Sequence, residues 1–167
     1  MKWSDRRFTF DLPVAWYPEL IERLRGTSAR VEERLHNVPV ERLVMRRDGK
    51  WSPLEHAGHL ADLDQWLVLP RLDDYDRGES VLRAADMQNR RTEDARHNFR
   101  APRDVLHGFR AIRAAVIVRL EEMDAAQFAR VARHPRLNVP MRLVDMLHFQ
   151  AEHDDYHLAR ITELLRS

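Results

Sequence analysis

The sequence predicts an all-α protein, a four-helix bundle in which residues 1–167 form a single domain, and three observations support this. Four segments repeat apolar residues at the spacing of helices that bury one face. A chain of 167 residues is long enough for one domain with a core of its own. Strand-like alternation is absent apart from Phe8-Thr9-Phe10. A helical bundle is therefore the expected architecture.

The first helix is expected to follow an extended N-terminal segment. Residues 1–14 lack a helical pattern, and Phe8 and Phe10 suit a short segment laid across the bundle. The helical spacing of apolar residues begins at Trp16, and Pro39 ends it because proline cannot continue a helix. The predicted inward face carries Leu20, Ile21, Leu24, Val31 and Leu35.

The second helix has the clearest start in the chain. Ser52 is the predicted N-cap, Pro53 occupies the first helical position, and Glu55 completes a capping box. Pro70 is expected to kink or end this helix, because its ring removes a backbone hydrogen bond. The predicted inward face carries Leu60, Leu63, Trp66 and Leu67.

Two connections separate the remaining helices. The long polar stretch 74–101 is predicted to cross over between the second and third helices, either covering a site or remaining a solvated connection. Helical apolar spacing returns over residues 103–123 and predicts the third helix. A second connection, residues 124–141, leads into the fourth helix, which is expected to continue to the C-terminus.

Polar residues interrupt the apolar stripe of the fourth helix. His153 and His157 are four residues apart, so both rings lie on one face and can reach a single ion. His59, on the apolar face of the second helix, supplies a third nitrogen. Three nitrogen ligands leave an open position, as in catalytic zinc sites. His56 shares the face of His59 and is a rival ligand, whereas His148 lies on the opposite side of its helix and is expected to be exposed.

Two stretches of the sequence resemble motifs of the DinB/YfiT-like superfamily. Residues 51–62 read WSPLEHAGHLAD and residues 153–161 read HDDYHLARI. They are similar to the patterns W-S-x-x-E-x-x-x-H-L and H-D-x-x-H-L-x-Q-I of that family. The resemblance implies a four-helix bundle that holds a divalent metal, often zinc or nickel. Matched position by position, the implied ligands are His59, His153 and His157.

Metal-bound imidazoles need a partner for their second nitrogen, and three polar residues are candidates for that role. Asp62, Gln150 and Asp154 lie on or beside the inward faces of the second and fourth helices. Asp154 is also placed to form a plain buried ion pair with Arg113, and both interpretations stay open.

Arg160 departs from the family pattern, which usually has glutamine at this position. A guanidinium is always charged and presents a fork that suits a carboxylate. We therefore expect Arg160 to hold an acidic group of the substrate or thiol near the metal. The alternative is an ordinary salt bridge to an acid such as Asp155 or Glu163.

Composition limits the partners that the chain is expected to have. The formal net charge is +1 and acids are interleaved with bases, which argues against a nucleic-acid partner. An apolar run of about 18 residues and a basic-then-apolar leader are both absent, so we expect a cytoplasmic protein without a membrane partner. Cysteine is absent, so a metal must be held by histidine, carboxylate or water.

Three functions are compatible with these residues. The first, which the family resemblance implies, is a metal-dependent S-transferase that activates a low-molecular-weight thiol, or water, and acts on a small-molecule substrate. The second is a hydrolase that uses the same site, and the third is a non-enzymatic bundle with a structural metal or a bound ligand. The three histidines alone do not choose between them, because one ligand set serves several reactions. A homodimer is a further expectation.

Overall fold

The computed structural model describes residues 3–166, the side chain of Ser4 excepted, and shows a mostly helical four-helix bundle. Its long helices are α1 (Tyr17–Leu35), α3 (Pro53–Leu63), which continues through a π-helical segment (Asp64–Val68) into α4 (Leu69–Arg77), α6 (Pro102–Glu121) and α8 (Leu143–Arg166). Helix α1 packs against α6 and α8, and α3 packs against the same two helices. The predicted bundle is thereby confirmed.

Short elements connect the long helices. They are α2 (Val40–Leu43), α5 (Arg90–Ala95), α7 (Ala125–Phe128), strands β1 (Val131–Arg133) and β2 (Pro140–Arg142), and the 3-10 turns Trp3–Asp5, Val14–Trp16 and His97–Phe99. The two strands form an antiparallel hairpin in which Val131 pairs with Arg142. In the described chain, no helix combines the length and the apolar character needed to cross a membrane.

The expectation that Phe8-Thr9-Phe10 is the one strand-like stretch is corrected by the structure. This segment forms no strand, and its two rings pack on Phe149, with ring centroids 5.0 and 6.2 Å away. The hairpin lies instead in the connection 124–141. Its strands have three residues each, which is too short for alternation to stand out in a sequence. Met1 and Lys2 of the predicted extended segment lie outside the described residues.

Helix α3 begins as the sequence predicts. The Ser52 hydroxyl accepts a hydrogen bond from the backbone N–H of Glu55 at 3.2 Å, and the Ser52 N–H donates to the Glu55 carboxylate at 2.9 Å. Arg46 donates to the same carboxylate at 2.5 Å. The capping box is confirmed, and it starts the helix that carries His59.

Pro70 neither ends nor interrupts the helical path, because the π-helical segment precedes it. A π-helical turn contains more residues than an α-helical turn, so it changes the face of the helix on which the following side chains lie. Trp66, inside this segment, is 49% exposed although its position predicted an inward side chain. The Arg91 guanidinium lies over its ring, 4.5 Å from the centroid. The widened turn thus moves Trp66 out of the core.

The crossover between α4 and α6 is tied to α3 by polar contacts. The Ser52 hydroxyl donates to the Asn98 side-chain oxygen at 2.7 Å, and His97 Nε2 lies 2.9 Å from the Asp62 carboxylate. The His97 ring packs so closely over Gly58 that a Cβ there would overlap it. Residues 84–87 and 89 line a cavity in the bundle. Part of the stretch 74–101 thus lines a cavity, an arrangement compatible with its predicted role of covering a site.

Candidate metal centre

Three imidazoles from two facing helices converge in the bundle. His59 comes from α3, and His153 and His157 come from α8. Each offers a nitrogen, and these nitrogens all lie within 4.8 Å of one another. Nε2 of His153 is 3.1 Å from Nε2 of His157. A tetrahedral zinc site places two ligand nitrogens roughly 3.4 Å apart, so the three donors fit a divalent ion after small side-chain shifts.

The second nitrogens of two of these histidines have polar partners. Nδ1 of His59 lies 3.0 Å from the Thr92 hydroxyl, and Nδ1 of His157 lies 2.8 Å from Nδ1 of His56. His56 therefore contacts the far nitrogen of His157, and the three-histidine group does not include it. Nδ1 of His153 is buried and has no partner among residues 3–166. Outer partners of this kind set the tautomer and the orientation of a metal ligand.

The electrostatic environment keeps these imidazoles neutral at pH 7. Burial lowers the pKa of His59 and of His157 well below the usual value, and neighbouring histidines add to the effect. Burial likewise lowers the pKa of His153 to about 3 and that of His56 to about 4. The neutral imidazole is the form that binds metals, so no proton has to leave before an ion binds.

Two candidates for the outer partners, Asp154 and Gln150, belong to a separate buried network. Arg113 donates to Asp154 at 2.6 Å and to Asp64 at 2.6 and 3.1 Å. The Thr27 hydroxyl and the Gln150 amide also donate to Asp154, at 2.8 and 3.0 Å. The ion pair between Arg113 and Asp154, one of the two open interpretations, is therefore present. Burial raises the pKa of Asp64 to about 6, although Arg113 acts in the opposite direction.

The other predicted site residues have contacts of their own. Asp62 pairs with His97, so the place expected for it beside His59 is taken by Thr92. Arg160 donates to Glu163 at 2.6 Å, which is the salt bridge considered as its alternative role. His148 is half-buried against Phe8 and not exposed as expected, because the N-terminal segment covers it.

A cavity of about 450 Å³ adjoins the three imidazoles. Trp3 packs edge-on against His153 with ring centroids 4.9 Å apart, and Trp51 lies 4.7 Å from His59. Gln150 and Tyr156 also line this cavity. The sequence pattern missed Thr92, Trp3 and Trp51, because none of them lies on the inward stripe of a long helix.

Fold and site together define a class: a helical bundle with a buried candidate metal site of three histidines. A model of the DinB superfamily matches residues 23–161, and the chain belongs to that superfamily. No curated protein matches the sequence.

Two solved structures share the fold. YfiT from Bacillus subtilis, described as a probable metal-dependent hydrolase with an unusual four-helix bundle topology, is 20% identical with a TM-score of 0.79. The match covers 96% of this chain and 92% of YfiT. A mycothiol-dependent maleylpyruvate isomerase is 15% identical with a TM-score of 0.69. That match covers 92% of this chain and 62% of the isomerase, so the chain spans less than two thirds of that protein.

Proposed function

We propose that this protein is a metal-dependent S-transferase. In this proposal His59, His153 and His157 hold a divalent ion, zinc or nickel, at which a low-molecular-weight thiol is activated for addition to a small electrophile. The observation that carries the proposal is the open side of the site. Three neutral imidazoles converge beside a cavity, and among residues 3–166 no fourth histidine, aspartate or glutamate joins their group. An open position of this kind is typical of catalytic metal sites.

The surroundings of the site favour a thiol over water as the nucleophile. The nearby acids are engaged elsewhere, since Asp62 pairs with His97 and Asp154 pairs with Arg113. A hydrolase commonly needs a carboxylate or histidine that is free to move protons, whereas a bound divalent ion by itself favours the thiolate of a thiol. The shared fold of the mycothiol-dependent isomerase supports the same choice.

The residues around the site would position the reactants. Thr92 and His56 hold the rings of His59 and His157 through their second nitrogens. Trp3 and Trp51 pack against the imidazoles and form apolar walls that exclude water from the reacting groups. The chain's own contribution would thus be a preformed ligand set and aromatic walls beside it.

A spectroscopic experiment tests this function directly. The protein is loaded with Co²⁺, and N-acetylcysteine is then added. We expect a new near-ultraviolet charge-transfer band, because a cobalt–sulfur bond forms at the open position. The zinc- or nickel-loaded protein should also accelerate the reaction of N-acetylcysteine with 1-chloro-2,4-dinitrobenzene. The absence of both effects, with a full complement of metal, would exclude the transferase.

A hydrolase is the second candidate, favoured by the higher structural similarity to YfiT. The same metal-loaded protein would then cleave p-nitrophenyl acetate without any thiol and show no sulfur band with cobalt. A metal that stays bound with neither activity would identify the third candidate, a non-enzymatic bundle. A cytoplasmic location, a homodimer and a partner set without nucleic acid or membrane belong to the proposal as well.

A further inference from the structure

The cavity beside the three histidines has an excess of positive charge. Two arginines, Arg71 and Arg136, line it against a single acid, Asp86. The Asp86 carboxylate already accepts hydrogen bonds from the backbone N–H groups of Gln88 and Arg91, both at 3.2 Å. The neutral histidines in the lining add no charge. The cavity therefore favours an anionic ligand over a cationic one.

Arg71 is a buried cation in the cavity wall whose charge is not paired. It is 4% exposed, and its Nε and Nη2 groups donate to the backbone carbonyl of Arg83 at 3.1 and 3.0 Å. Within residues 3–166 both of these hydrogen bonds go to one carbonyl, and the guanidinium forms no ion pair with an acid. A buried charge without a counterion is costly, so a bound anion would offset that cost.

The acid of α4 that acts electrostatically on Arg71 is already neutralised by other side chains. Asp74 accepts from Arg83 at 2.6 Å and from Arg77 at 3.0 Å. Burial lowers the pKa of Arg71 to about 10, and the nearby Tyr75 and Asp74 act in the opposite direction. Arg71 thus remains a cation at neutral pH and keeps donors available for a ligand.

His134 supplies a neutral donor in the same part of the cavity wall. Burial, together with the nearby charges of Arg71 and Arg136, lowers its pKa to about 4. Its Nδ1 accepts a hydrogen bond from the backbone N–H of Leu137 at 3.2 Å. The proton of the neutral ring is then on Nε2, which makes that nitrogen a donor. Its ring packs edge-on against Phe149, with centroids 5.7 Å apart.

We propose that Arg71, with Arg136 and His134, binds the carboxylate of a substrate in this cavity. The inference rests on the proposed function, because it names the substrate class for the same site. The planar fork of Arg71 matches the two oxygens of a carboxylate. A singly charged carboxylate also balances the one buried guanidinium, whereas a phosphate dianion would leave a net negative charge. The substrate is thus a carboxylic acid whose electrophilic carbon faces the three imidazoles.

The test compares an acid with its uncharged analogue. Calorimetry measures the binding of 3-phenylpropanoate and of 3-phenylpropanamide to the protein as purified, after its metal content has been determined. We expect the wild type to bind the acid at least about 10-fold more tightly than the amide, because a charged hydrogen bond is lost in the amide. Arg71→Gln should bring the ratio to about 1, and its metal content should not change.

The matched control is Arg110→Gln, because Arg110 pairs with Glu32 at the surface and does not line the cavity. It should keep the wild-type preference for the acid. If Arg71→Gln does not fold, Arg136→Gln provides the test, because Arg136 is exposed and its replacement should not affect folding. This variant should lower the ratio of acid to amide affinity roughly twofold to fivefold. Equal affinities of the wild type for acid and amide would overturn the inference. So would a ratio that the deciding variant leaves unchanged.

The two proposals fail in different ways. If the wild type shows no cobalt–sulfur band but keeps an Arg71-dependent preference for the acid, the transferase function is rejected and the carboxylate site is retained. If the wild type reacts with the thiol but binds acid and amide equally, the transferase function is retained and the carboxylate site is rejected.

Discussion

Asp154 and His153 are neighbours in α8, yet they belong to polar clusters of opposite character. Asp154 is fully buried and accepts hydrogen bonds from Arg113, Thr27 and Gln150. His153 is half-buried, its Nδ1 has no partner within residues 3–166, and its ring lies beside a cavity. The first cluster is charged and has its hydrogen bonds made, whereas the second is neutral and open.

The bundle thus keeps its stabilising ion network apart from its open histidine cluster. A satisfied ion network specifies how the helices pack, but it leaves no donor or acceptor for a ligand. The histidine cluster keeps nitrogens free at the cost of burying imidazoles that would otherwise take up protons below pH 6.5. We therefore expect changes in the two clusters to separate metal binding from folding.

The largest expected effect is loss of the metal from the histidine cluster. His59→Ala, His153→Ala and His157→Ala should each abolish stoichiometric binding of zinc, because two remaining imidazoles hold the ion poorly. His148→Ala is the control, since His148 lies outside the group. Metal analysis after dialysis provides the measurement. Equal zinc content in all four variants would contradict the assignment of the ligands.

The next effect belongs to the ion network. Arg113→Met should lower the free energy of unfolding by about 3–5 kcal/mol, because Asp64 and Asp154 lose their buried counterion. Arg110→Met removes an arginine that pairs with Glu32 at the surface, so it should lower the free energy of unfolding far less than Arg113→Met does. Urea unfolding measures both values. Similar decreases in the free energy of unfolding for the two variants would show that the buried network stabilises the fold no more than a surface ion pair does.

Acid should weaken the histidine cluster. The pKa of His56 is lowered to about 4 by burial, so between pH 6.5 and 4 the unfolded chain binds a proton that the folded chain does not. Stability from this group is present above pH 6.5 and is lost as the pH falls toward 4. From pH 7 to 5 the loss is about 2 kcal/mol for His56.

The variant His56→Gln isolates the contribution of His56 to the pH dependence of stability. Both proteins are measured with the metal removed by a chelator. Glutamine does not titrate, so the wild type should lose about 2 kcal/mol more than the variant between pH 7 and 5. Urea unfolding at both pH values gives the difference. A constant gap between the two proteins would mean that His56 does not stay neutral in the fold.

The last effect concerns the outer partner of His59. Thr92→Val keeps the shape of the side chain and removes the hydroxyl that lies 3.0 Å from Nδ1. Zinc affinity should fall about 10-fold to 100-fold, because the ring of His59 loses its fixed orientation. Competition with a chromophoric chelator measures the affinity. Thr162→Val is the control, since its hydroxyl donates to the backbone of Leu158 and should leave zinc affinity unchanged.

The prediction from sequence succeeded where helical periodicity sets the position of a side chain. The start of α3 at Ser52 and the meeting of His59 with His153 and His157 follow from capping and from the helical repeat. The same reasoning failed for Trp66, because a π-helical segment changes the phase. It also missed Thr92, which lies in the short helix α5 of the crossover and not on a long helix.

Local spacing along the sequence was enough to predict the bundle, the start of α3 and the three imidazoles, because it decides which residues share a helix face. The contacts of the polar residues with one another were set by the tertiary packing. Thr92 reaches His59 from the crossover, Arg113 draws Asp154 into an ion network, and Arg71 enters the cavity wall without an acid of its own. These contacts join residues that lie far apart in the chain. They depend on how the helices and connections pack, which no local pattern encodes.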